Sequence, residues 1–332
     1  MSKILRIGII GAGGIARFAH IPAYKRNAAC KLGAISDIDE KARKEALKKF
    51  NIAHVYKVAL EMIDREELDA VSICTPPNTH AELVLECARK HIHILCEKPF
   101  ALSTDEAERM VTECRKNNVI LAVAYMLRFD PNLVQIKKRL IQGKLGRLHS
   151  VISVYHRPPP TKKWYFEPEI SGGGVIMDLG SHLIDLHNWF VDDEVESLSV
   201  FAHSYGRMNV ENMASIVLKY KNGITTMMSL SWLAPRETVE HLVVGSACID
   251  KANSFMPIRY RHTSYKAFIR ELIRNIPALF PPPRSNPWQS EIDDFIDSII
   301  HKRRPRATGL DGLKVTRIVE RLYQLKDNWP KD

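Results

Sequence analysis

Residues 4–16 read Ile-Leu-Arg-Ile-Gly-Ile-Ile-Gly-Ala-Gly-Gly-Ile-Ala, and they decide the fold of the first part of the chain. The run up to Ile10 is short, β-branched and mostly apolar, which predicts a buried parallel strand. A GxGxxA loop follows at once, and then a helical stretch. In this context Gly11 permits a tight turn, Gly13 lets backbone N–H groups approach a pyrophosphate, and Ala16 allows close helix packing. The stretch therefore predicts a dinucleotide-binding unit.

The loop also contains Gly14, a further residue without a side chain, and Ile15, which precedes Ala16. The positive end of the following helix favours the negative charge of a phosphate. We therefore predict that Gly11, Gly13, Gly14 and Ile15 bind a cofactor. A lone motif of this type also fits a glycine turn between packed elements, so the rest of the chain has to decide between the two.

The second predicted strand covers 31–36 and ends at Asp37, roughly 20 residues beyond the glycine loop. A carboxylate at this place accepts hydrogen bonds from an adenosine ribose and repels a 2′-phosphate. The position therefore favours NAD, while Lys41 and Arg43 on the next helix keep NADP open. The alternative role for Asp37 is to cap that helix.

The composition fits a two-domain globular enzyme. The chain of 332 residues exceeds the ~250 to 300 residues at which single cores stop growing. Apolar residues make up 45% and charged residues 26%, and no run reaches the ~20 apolar residues of a membrane span. Arg6 interrupts the first apolar run, and the six cysteines contain no CxxC pair. We expect a soluble, cytoplasmic protein with buried thiols and no membrane partner.

The formal charge of +10 raises the question of a nucleic-acid partner. The basic residues are spread along the chain, however, and only 302–306 forms a short basic cluster. No zinc-finger spacing or aromatic RNA-binding run accompanies it. The charge therefore predicts a solvated surface that favours anionic substrates, and no nucleic-acid binding.

Strands and helices alternate up to residue 124. Helices are predicted over 40–50, from about 79 to 90 and over 104–117, and strands over 69–74, up to Lys98 and over 119–124. This alternation predicts an α/β domain with a doubly wound parallel sheet. The strand 69–74 stops at Thr75-Pro-Pro-Asn-Thr-His80, so Thr75 and Asn78 are expected at the same strand-end edge as Gly11.

The pattern changes at Tyr125. Strand-like runs cover 147–156, 194–202, 211–220 and 224–233, and Lys221-Asn222-Gly223 predicts a hairpin between the last two. We predict a doubly wound Rossmann domain over 1–125 and an α+β domain over 126–332 with a mainly antiparallel open sheet. The exposed face of that sheet suits pairing into a homodimer or homotetramer. Residues 248–286 fit no pattern, and walls of a substrate site could come from there.

Cys96-Glu97-Lys98-Pro99 ends an apolar strand. The proline removes a ladder donor and stops the strand, which fixes Lys98 at its carboxyl end. Ligand crevices of parallel sheets open at these ends, so the ammonium is partly desolvated yet reachable. This position indicates chemistry at Lys98.

Gly172-Gly173-Gly174 precede a helix that carries Asp178 and His182 at i and i+4, on one face. A carboxylate beside an imidazole orients it and raises its proton affinity, as a general base requires. A polar surface pair is an equally good interpretation of the two residues alone. The glycines favour chemistry, because they weaken a helix start unless something approaches the backbone closely. A metal site at His182, Asp185 and His187 is disfavoured, because these residues do not share one helix face.

Four motifs carry a resemblance: the glycine loop at 11–16, the segment 75–80, Glu97-Lys98-Pro99, and the glycine triplet with Asp178 and His182. In this order and spacing they resemble the glucose-fructose oxidoreductase, inositol dehydrogenase and rhizopine catabolism (Gfo/Idh/MocA) family. The resemblance covers essentially the whole chain, and it implies a two-domain NAD(P)-dependent oxidoreductase of sugars, sugar derivatives or cyclitols. It implies a catalytic set made of Lys98, Asp178 and His182. The implied cofactor contacts are Gly11, Gly13, Asp37, Thr75, Asn78, Glu97 and Lys98.

The expected mechanism has His182, held by Asp178, remove a hydroxyl proton while the carbon delivers hydride to nicotinamide. Lys98 would stabilise the negative charge that develops on the same oxygen. Polar donors and an aromatic plate suit a polyol, which makes Arg128, Tyr155, Arg157 and Trp164 the predicted substrate contacts. The alternative function is a non-catalytic sensor of nicotinamide or sugar on the same fold.

Overall fold

The structure is a computed structural model that describes residues 3–52, 54–206, 208–254 and 286–325. Its first sheet has six parallel strands in the order β3-β2-β1-β4-β5-β6. They are β1 (Leu5–Ile10), β2 (Cys30–Ser36), β3 (His54–Tyr56), β4 (Ala70–Ile73), β5 (His93–Cys96) and β6 (Leu121–Val123). The strand order reverses between β1 and β4, where a crevice opens at the carboxyl ends. The prediction of a doubly wound sheet is confirmed.

Five helices accompany these strands. They are α1 (Ile21–Arg26), α2 (Glu40–Phe50), α3 (Ala59–Arg65), α4 (His80–Arg89) and α5 (Thr104–Lys116). The residues of β1 and β4 are almost entirely buried, as expected for strands covered on both faces. The side chain of Asp39 caps α2 by accepting the N–H groups of Lys41 and Ala42. Asp39, and not Asp37, is therefore the N-cap of this helix.

The second sheet has the strand order β12-β11-β7-β10-β9-β8. Its strands are β7 (Leu148–His156), β8 (Val195–His203), β9 (Met213–Tyr220), β10 (Thr225–Ser231), β11 (Thr238–Gly245) and β12 (Ile249–Asn253). Among the described strands of this sheet, only β7 and β10 pair in parallel, and β9 and β10 form the hairpin expected at Lys221-Asn222-Gly223. A mainly antiparallel sheet is therefore confirmed, with two strands, β11 and β12, that the sequence pattern did not predict.

One face of the second sheet is buried, and three helices of the described ranges precede or join its strands. They are α6 (Pro131–Ile141), α7 (Pro168–Ser171) and α8 (Ser181–Val191). Alternate residues of β9 and β10 point inward and are buried, including Ile216, Leu218 and Leu230. The side chains between them, such as Met227, lie on the outer face and are exposed. The alternation explains why these strands were readable from sequence.

The last described helices, α9 (Pro287–Ile300) and α10 (Gly309–Gln324), return to the first sheet. Ile292, Phe295 and Ile296 of α9 share an apolar core with β1. A β-bridge joins Ala122 to Thr308, which caps α10. The boundary at residues 125 and 126 stays a prediction, and these helices extend the second predicted segment onto the first domain.

The predicted substrate walls within 248–286 fall mostly outside the described residues, which resume at residue 286. In the parts of the chain that are described, no helix is both long and apolar enough to cross a membrane.

Candidate active site

The glycine loop is packed below and open above. Gly11 has φ +93°, and a Cβ there would stand 2.8 Å from the main-chain oxygen of Cys74. Gly13 is half-buried and Gly14 is exposed, with no neighbouring atom within 4 Å of its Cβ position. Ile15 packs its side chain against the core of the first sheet. The loop therefore has room for a ligand on the side of Gly13 and Gly14.

Asp37 ties the end of β2 to this loop. Its carboxylate accepts the N–H of Ala12 at 2.6 Å and that of Asp39 at 2.8 Å. Arg43 donates to the main-chain oxygens of Asp37 at 2.6 Å and Ile38 at 3.0 Å. The half-buried carboxylate thus lies at the predicted ribose position, with one guanidinium beside it.

Thr75 and Asn78 lie after β4, at the same edge as Gly11. The Thr75 hydroxyl accepts a hydrogen bond from Thr79 at 2.7 Å, and Asn78 is exposed. The buried ring of His80 lies 3.0 Å from the main-chain oxygens of both Thr75 and Pro99. His80 therefore connects the chain segments that follow β4 and β5.

Glu97 is held by a buried polar chain that the sequence did not reveal. One carboxylate oxygen lies 2.8 Å from Nε2 of His20, and the other accepts the N–H of Lys98 at 3.1 Å. The second ring nitrogen of His20 lies 3.0 Å from the Ser72 hydroxyl, which also bonds to Tyr24 at 2.8 Å. His20 reaches this place from a π-helical turn, Ala16–His20, that opens the helical stretch after the glycine loop.

Lys98 and Asp178 meet across the crevice. Nζ of Lys98 donates to Oδ1 of Asp178 at 2.8 Å and to its main-chain oxygen at 3.2 Å. The side chain of Lys98 is 15% exposed and that of Asp178 only 7%. Burial alone lowers the pKa of Lys98, but the Asp178 carboxylate raises it, and the pKa ends above its ordinary value. Lys98 is therefore a charged donor at neutral pH.

Asp178 binds two further donors with its second oxygen. This oxygen accepts from Arg157 at 2.6 Å and from the indole N–H of Trp232 at 3.2 Å. Burial disfavours the carboxylate, yet Lys98 and Arg157 together hold the pKa of Asp178 well below its usual range. The residue lies in a second π-helical turn, Ile176–Gly180, which directly precedes α8. Asp178 is thus a fixed anion that positions the side chains around it.

His182 follows in the first turn of α8, and the expected bond from Asp178 to its ring is not what the structure shows. The oxygens of Asp178 are bound to Lys98, Arg157 and Trp232, and Nδ1 of His182 has no hydrogen-bond partner among the described residues. Burial lowers the pKa of His182 well below its ordinary value, Lys98 lowers it further, and Asp178 opposes the two. The ring is therefore neutral, and Asp178 does not make it a stronger base than usual.

The backbone of the glycine triplet is approached closely, as expected, and the approaching groups belong to the protein. A Cβ on Gly173 would collide with the hydroxyl of Tyr323, and one on Gly174 with the main chain of Glu211. Gly172 has φ +77°, and its Cβ position is only 2.5 Å from Met177. The backbone is thus approached closely by the protein itself and not by a ligand.

Arg128 lies outside the crevice, in a buried ion pair. It donates to both oxygens of Asp185, at 2.8 and 2.6 Å, and lies 3.2 Å from Asp311. A third donor binds the main-chain oxygen of Arg306 at 2.8 Å. The expected substrate contact at Arg128 is therefore replaced by a structural link between α8, α10 and the chain before α6.

Asp185 and His187 also have partners of their own. Asp185 binds Arg128, and His187 lies 2.7 Å from the hydroxyl of Ser153. Within the described ranges, no three His, Cys, Asp or Glu side chains are grouped so as to hold a metal ion.

The remaining predicted substrate contacts surround Asp178 and His182. The buried ring of Tyr155 has its centroid 6.3 Å from that of His182, and its hydroxyl donates to Glu237 at 3.0 Å. Trp164 stacks on Tyr165 with centroids 3.8 Å apart. Tyr165 in turn meets Trp232 edge to face, at 6.3 Å. The structure therefore brings Tyr155, Arg157 and Trp164 to one side of the crevice.

Sequence reasoning missed Tyr165, Trp232 and His20. Trp232 is the second-last residue of the predicted strand 224–233, and Tyr165 is adjacent to the predicted contact Trp164. These positions were the available signals for the two residues. Nothing in the local pattern distinguishes His20 from an ordinary helix residue.

Comparisons with known proteins agree with this architecture. A family model described as "Oxidoreductase family, NAD-binding Rossmann fold" matches residues 5–125, and the "GFO/IDH/MocA C-terminal domain" matches residues 133–248. A myo-inositol 2-dehydrogenase of Thermotoga maritima is 33% identical over 66% of this chain and 66% of its own length. The uncharacterized oxidoreductase YrbE of Bacillus subtilis is 28% identical over 98% of this chain and 95% of its own length.

Among solved structures, a probable dehydrogenase from Thermotoga maritima superposes with a TM-score of 0.83 at 26% identity, covering 97% of each chain. Residues 5–125 and 133–248 thus match models of one family, on a fold whose crevice brings Lys98, Asp178 and His182 together. The chain belongs to the Gfo/Idh/MocA family of oxidoreductases with an NAD-binding Rossmann fold.

Proposed function

We propose that the protein is an NAD(P)-dependent dehydrogenase. It transfers hydride between nicotinamide and a ring hydroxyl or ketone of a sugar, a sugar derivative, including nucleotide-linked sugars, or a cyclitol. The observation that carries the proposal is the contact of Lys98 with Asp178 at the carboxyl edge of the parallel sheet. Beside it lies a ring nitrogen of His182 that has no hydrogen-bond partner among the described residues. The relative named myo-inositol 2-dehydrogenase supports the cyclitol option.

The residues present fit a dinucleotide. The open side of Gly13 and Gly14 provides backbone for a pyrophosphate, and Asp37 offers carboxylate oxygens at the end of β2. Thr75, Asn78 and Glu97 follow β4 and β5 at the same edge, and we propose them as further contacts of the cofactor. We propose Ile15 and Lys98 as cofactor contacts as well. We propose NAD as the preferred cofactor because the Asp37 charge repels the 2′-phosphate of NADP. Binding of NADP stays open because the Arg43 guanidinium lies beside Asp37.

When bound, nicotinamide supplies the hydride acceptor, and the side chains of this protein manage the proton and the charge. The Lys98 ammonium donates a hydrogen bond to the reacting oxygen and stabilises its negative charge. Neutral His182 accepts the hydroxyl proton at a ring nitrogen. Asp178 keeps Lys98 charged and holds Arg157 in place.

The substrate wall follows from the side chains around Asp178. Arg157 is partly exposed, and its Nε is buried without a hydrogen-bond partner among the described residues. Tyr155 lies beside His182, and Trp164 with Tyr165 supplies an aromatic surface. Such a mixture of donors and ring faces suits a polyol ring.

Replacement of Lys98 tests this proposal. We expect Lys98→Ala to lower kcat by about 100- to 1000-fold, the range typical of a lost oxyanion donor. The assay is a screen of sugars, cyclitols and nucleotide sugars with NAD and NADP, followed by the absorbance of the reduced cofactor. Lys90→Ala, which removes an exposed lysine paired with Asp64, serves as the control and should leave kcat unchanged.

Two results would contradict the proposal. A kcat of Lys98→Ala within about tenfold of wild type, a loss below ~1.4 kcal/mol, would exclude the proposed role of the ammonium. A protein that binds reduced cofactor but converts no substrate of the screen would instead be the sensor.

We also propose that the outer face of the second sheet pairs two or four copies of the chain. Val217, Met227, Ile152 and Leu242 form one row across four neighbouring strands. Met227 is 47% exposed, and Phe201 on the same face is 78% exposed. A contiguous apolar row of this kind favours burial in an interface. Light scattering on the purified protein is expected to give the mass of a dimer or tetramer.

A cytoplasmic location stays a prediction. It is supported by six free cysteines, of which Cys248 alone is not buried.

A further inference from the structure

One short segment of the second predicted domain lies over the glycine loop. This crevice segment covers residues 162–171 and contains a 3₁₀ turn, Lys163–Phe166, followed by α7. Its first residue, Lys162, places Nζ 3.4 Å from the point where a Cβ on Gly13 would stand. It is the nearest atom to that point outside the loop's own neighbours. A charged side chain thus faces the open side of the loop.

The Lys162 ammonium is not bound by any residue in the part of the chain that the structure describes. No described residue forms a hydrogen bond or an ion pair with it, although exposed lysines elsewhere in the chain, such as Lys90, pair with carboxylates. Lys163 is equally exposed and also without an ion pair among the described residues, yet none of its atoms lies within 4 Å of the Cβ positions of Gly13 or Gly14. The two adjacent lysines therefore differ mainly in their distance from the loop.

An anion held on the backbone of this loop would meet the Lys162 ammonium. A pyrophosphate carries negative charge that the loop's N–H groups and the helix end only partly neutralise. An ammonium within hydrogen-bond reach adds a charge-assisted contact, which is stronger than a neutral one.

The crevice segment also touches the catalytic side chains. Trp164 and Tyr165 stack on each other, and Tyr165 meets Trp232, which donates to Asp178. The charges of Asp178 and Lys98 both act on the pKa of Tyr165, which burial raises. At its far end, α7 packs against the 3₁₀ turn Pro77–Thr79. One segment thus spans from the glycine loop to the chain that follows β4.

We propose that Lys162 is a cofactor contact supplied by the second domain, and that its ammonium binds the dinucleotide pyrophosphate over Gly13. Binding of the dinucleotide then fixes the crevice segment, and with it Trp164 and Tyr165, beside Lys98. This inference rests on the proposed function, because it requires the glycine loop to bind a dinucleotide.

The experiment compares NADH affinity among variants of the two adjacent lysines, by the fluorescence of bound NADH. Lys162→Ala and Lys162→Gln are expected to raise the Kd about tenfold, the effect of losing one charge-assisted contact. Lys162→Arg, which keeps the charge, should stay within about threefold of wild type, and Lys163→Ala within about twofold. Melting temperatures of all variants confirm that the fold is intact.

A second measurement tests the pyrophosphate itself. ADP-ribose, which contains a pyrophosphate, should compete with NADH about tenfold less well in Lys162→Ala than in wild type. Adenosine, which lacks phosphate, should compete equally in both. Hydrogen exchange over 162–171 should slow when NADH binds to wild type and stay unchanged in Lys162→Ala.

The outcomes separate this inference from the proposed function. Absence of NADH binding by wild type would overturn both. Normal NADH binding by wild type, with the same Kd in Lys162→Ala as in Lys163→Ala, would overturn only the role of Lys162. An equal loss of adenosine affinity in Lys162→Ala would also overturn it, because the effect would then be independent of the pyrophosphate.

Discussion

Two glycine-rich segments lead into the helical turns that carry site residues, and they differ in what occupies the space around them. Residues 11–14 and residues 172–174 each precede a π-helical turn that leads into a helix. No atom lies within 4 Å of the Cβ position of Gly14, whereas the main chain of Glu211 fills that of Gly174. The first segment is open toward a ligand, and the second is closed by the protein.

The difference teaches what a glycine run does and does not indicate. Glycine marks a place where backbone is approached closely or where φ is positive, as at Gly11 and Gly172. It carries no information about the identity of the approaching group. At Gly173 and Gly174 the approaching groups are Tyr323 and Glu211, which are far away in sequence. The chemistry near the second segment therefore comes from Asp178 and not from its glycines.

The largest expected effect is on stability. Gly174→Ala forces a methyl group into the main chain of Glu211, which cannot move aside as a flexible side chain would. We expect a loss of about 3 kcal/mol or more in the free energy of unfolding, measured by denaturant titration. Gly14→Ala is the matched control, and we expect a change within about 1 kcal/mol because its Cβ position is empty. Equal stability of the two variants would remove the distinction between the segments.

A smaller effect is expected on the pH dependence of kcat/KM when the charge of Asp178, which follows the second segment, is removed. Asp178 raises the pKa of Lys98, whereas burial lowers it. Asp178→Asn removes the largest influence that raises this pKa and leaves the smaller ones of Tyr165 and Glu97 against burial, so Lys98 loses its proton at lower pH. We expect the alkaline limb of kcat/KM to move down by about one pH unit, in addition to a fall in kcat.

The control for this shift is Asp185→Asn on α8, the helix that follows the turn of Asp178. Asp185 pairs with Arg128 and not with Lys98, so its replacement should lower stability without moving the alkaline limb. An unmoved limb in Asp178→Asn would mean that this carboxylate serves only the fold.

The smallest effect is expected on the preference between NAD and NADP, when Asp37 beside the first segment is replaced. Asp37→Asn keeps an oxygen that accepts the N–H of Ala12 but removes the charge that opposes a 2′-phosphate. We expect the ratio of kcat/KM for NADP to that for NAD to rise about fivefold to tenfold, or about 1 kcal/mol. Asp39→Asn changes the neighbouring helix cap instead, and it should leave the ratio constant. An unchanged ratio in Asp37→Asn would mean that the Asp37 charge does not cause the NAD preference.

Much of the candidate site could be predicted because its determinants are local. The strand before Gly11, the strand end at Lys98 and the face shared by Asp178 and His182 follow from periods of two and 3.6 residues and from turn chemistry. Arg128 shows where such reasoning fails. The local sequence around an arginine is the same whether its side chain is an exposed donor to a substrate or a partner in a buried ion pair. The pairing of Arg128 with Asp185 joins residues 57 positions apart.

The sequence by itself therefore determined the dinucleotide fold, the hairpin at 221–223 and the residue types available for chemistry. The tertiary structure decided how they are used. Lys98 and Asp178 are 80 positions apart, and Trp232 is 54 positions from Asp178, so only the folded chain assigns the Asp178 oxygens to them and leaves His182 without its expected partner. The same holds for the two glycine segments, because whether a ligand or the protein fills the space depends on side chains that are remote in sequence and adjacent in the fold.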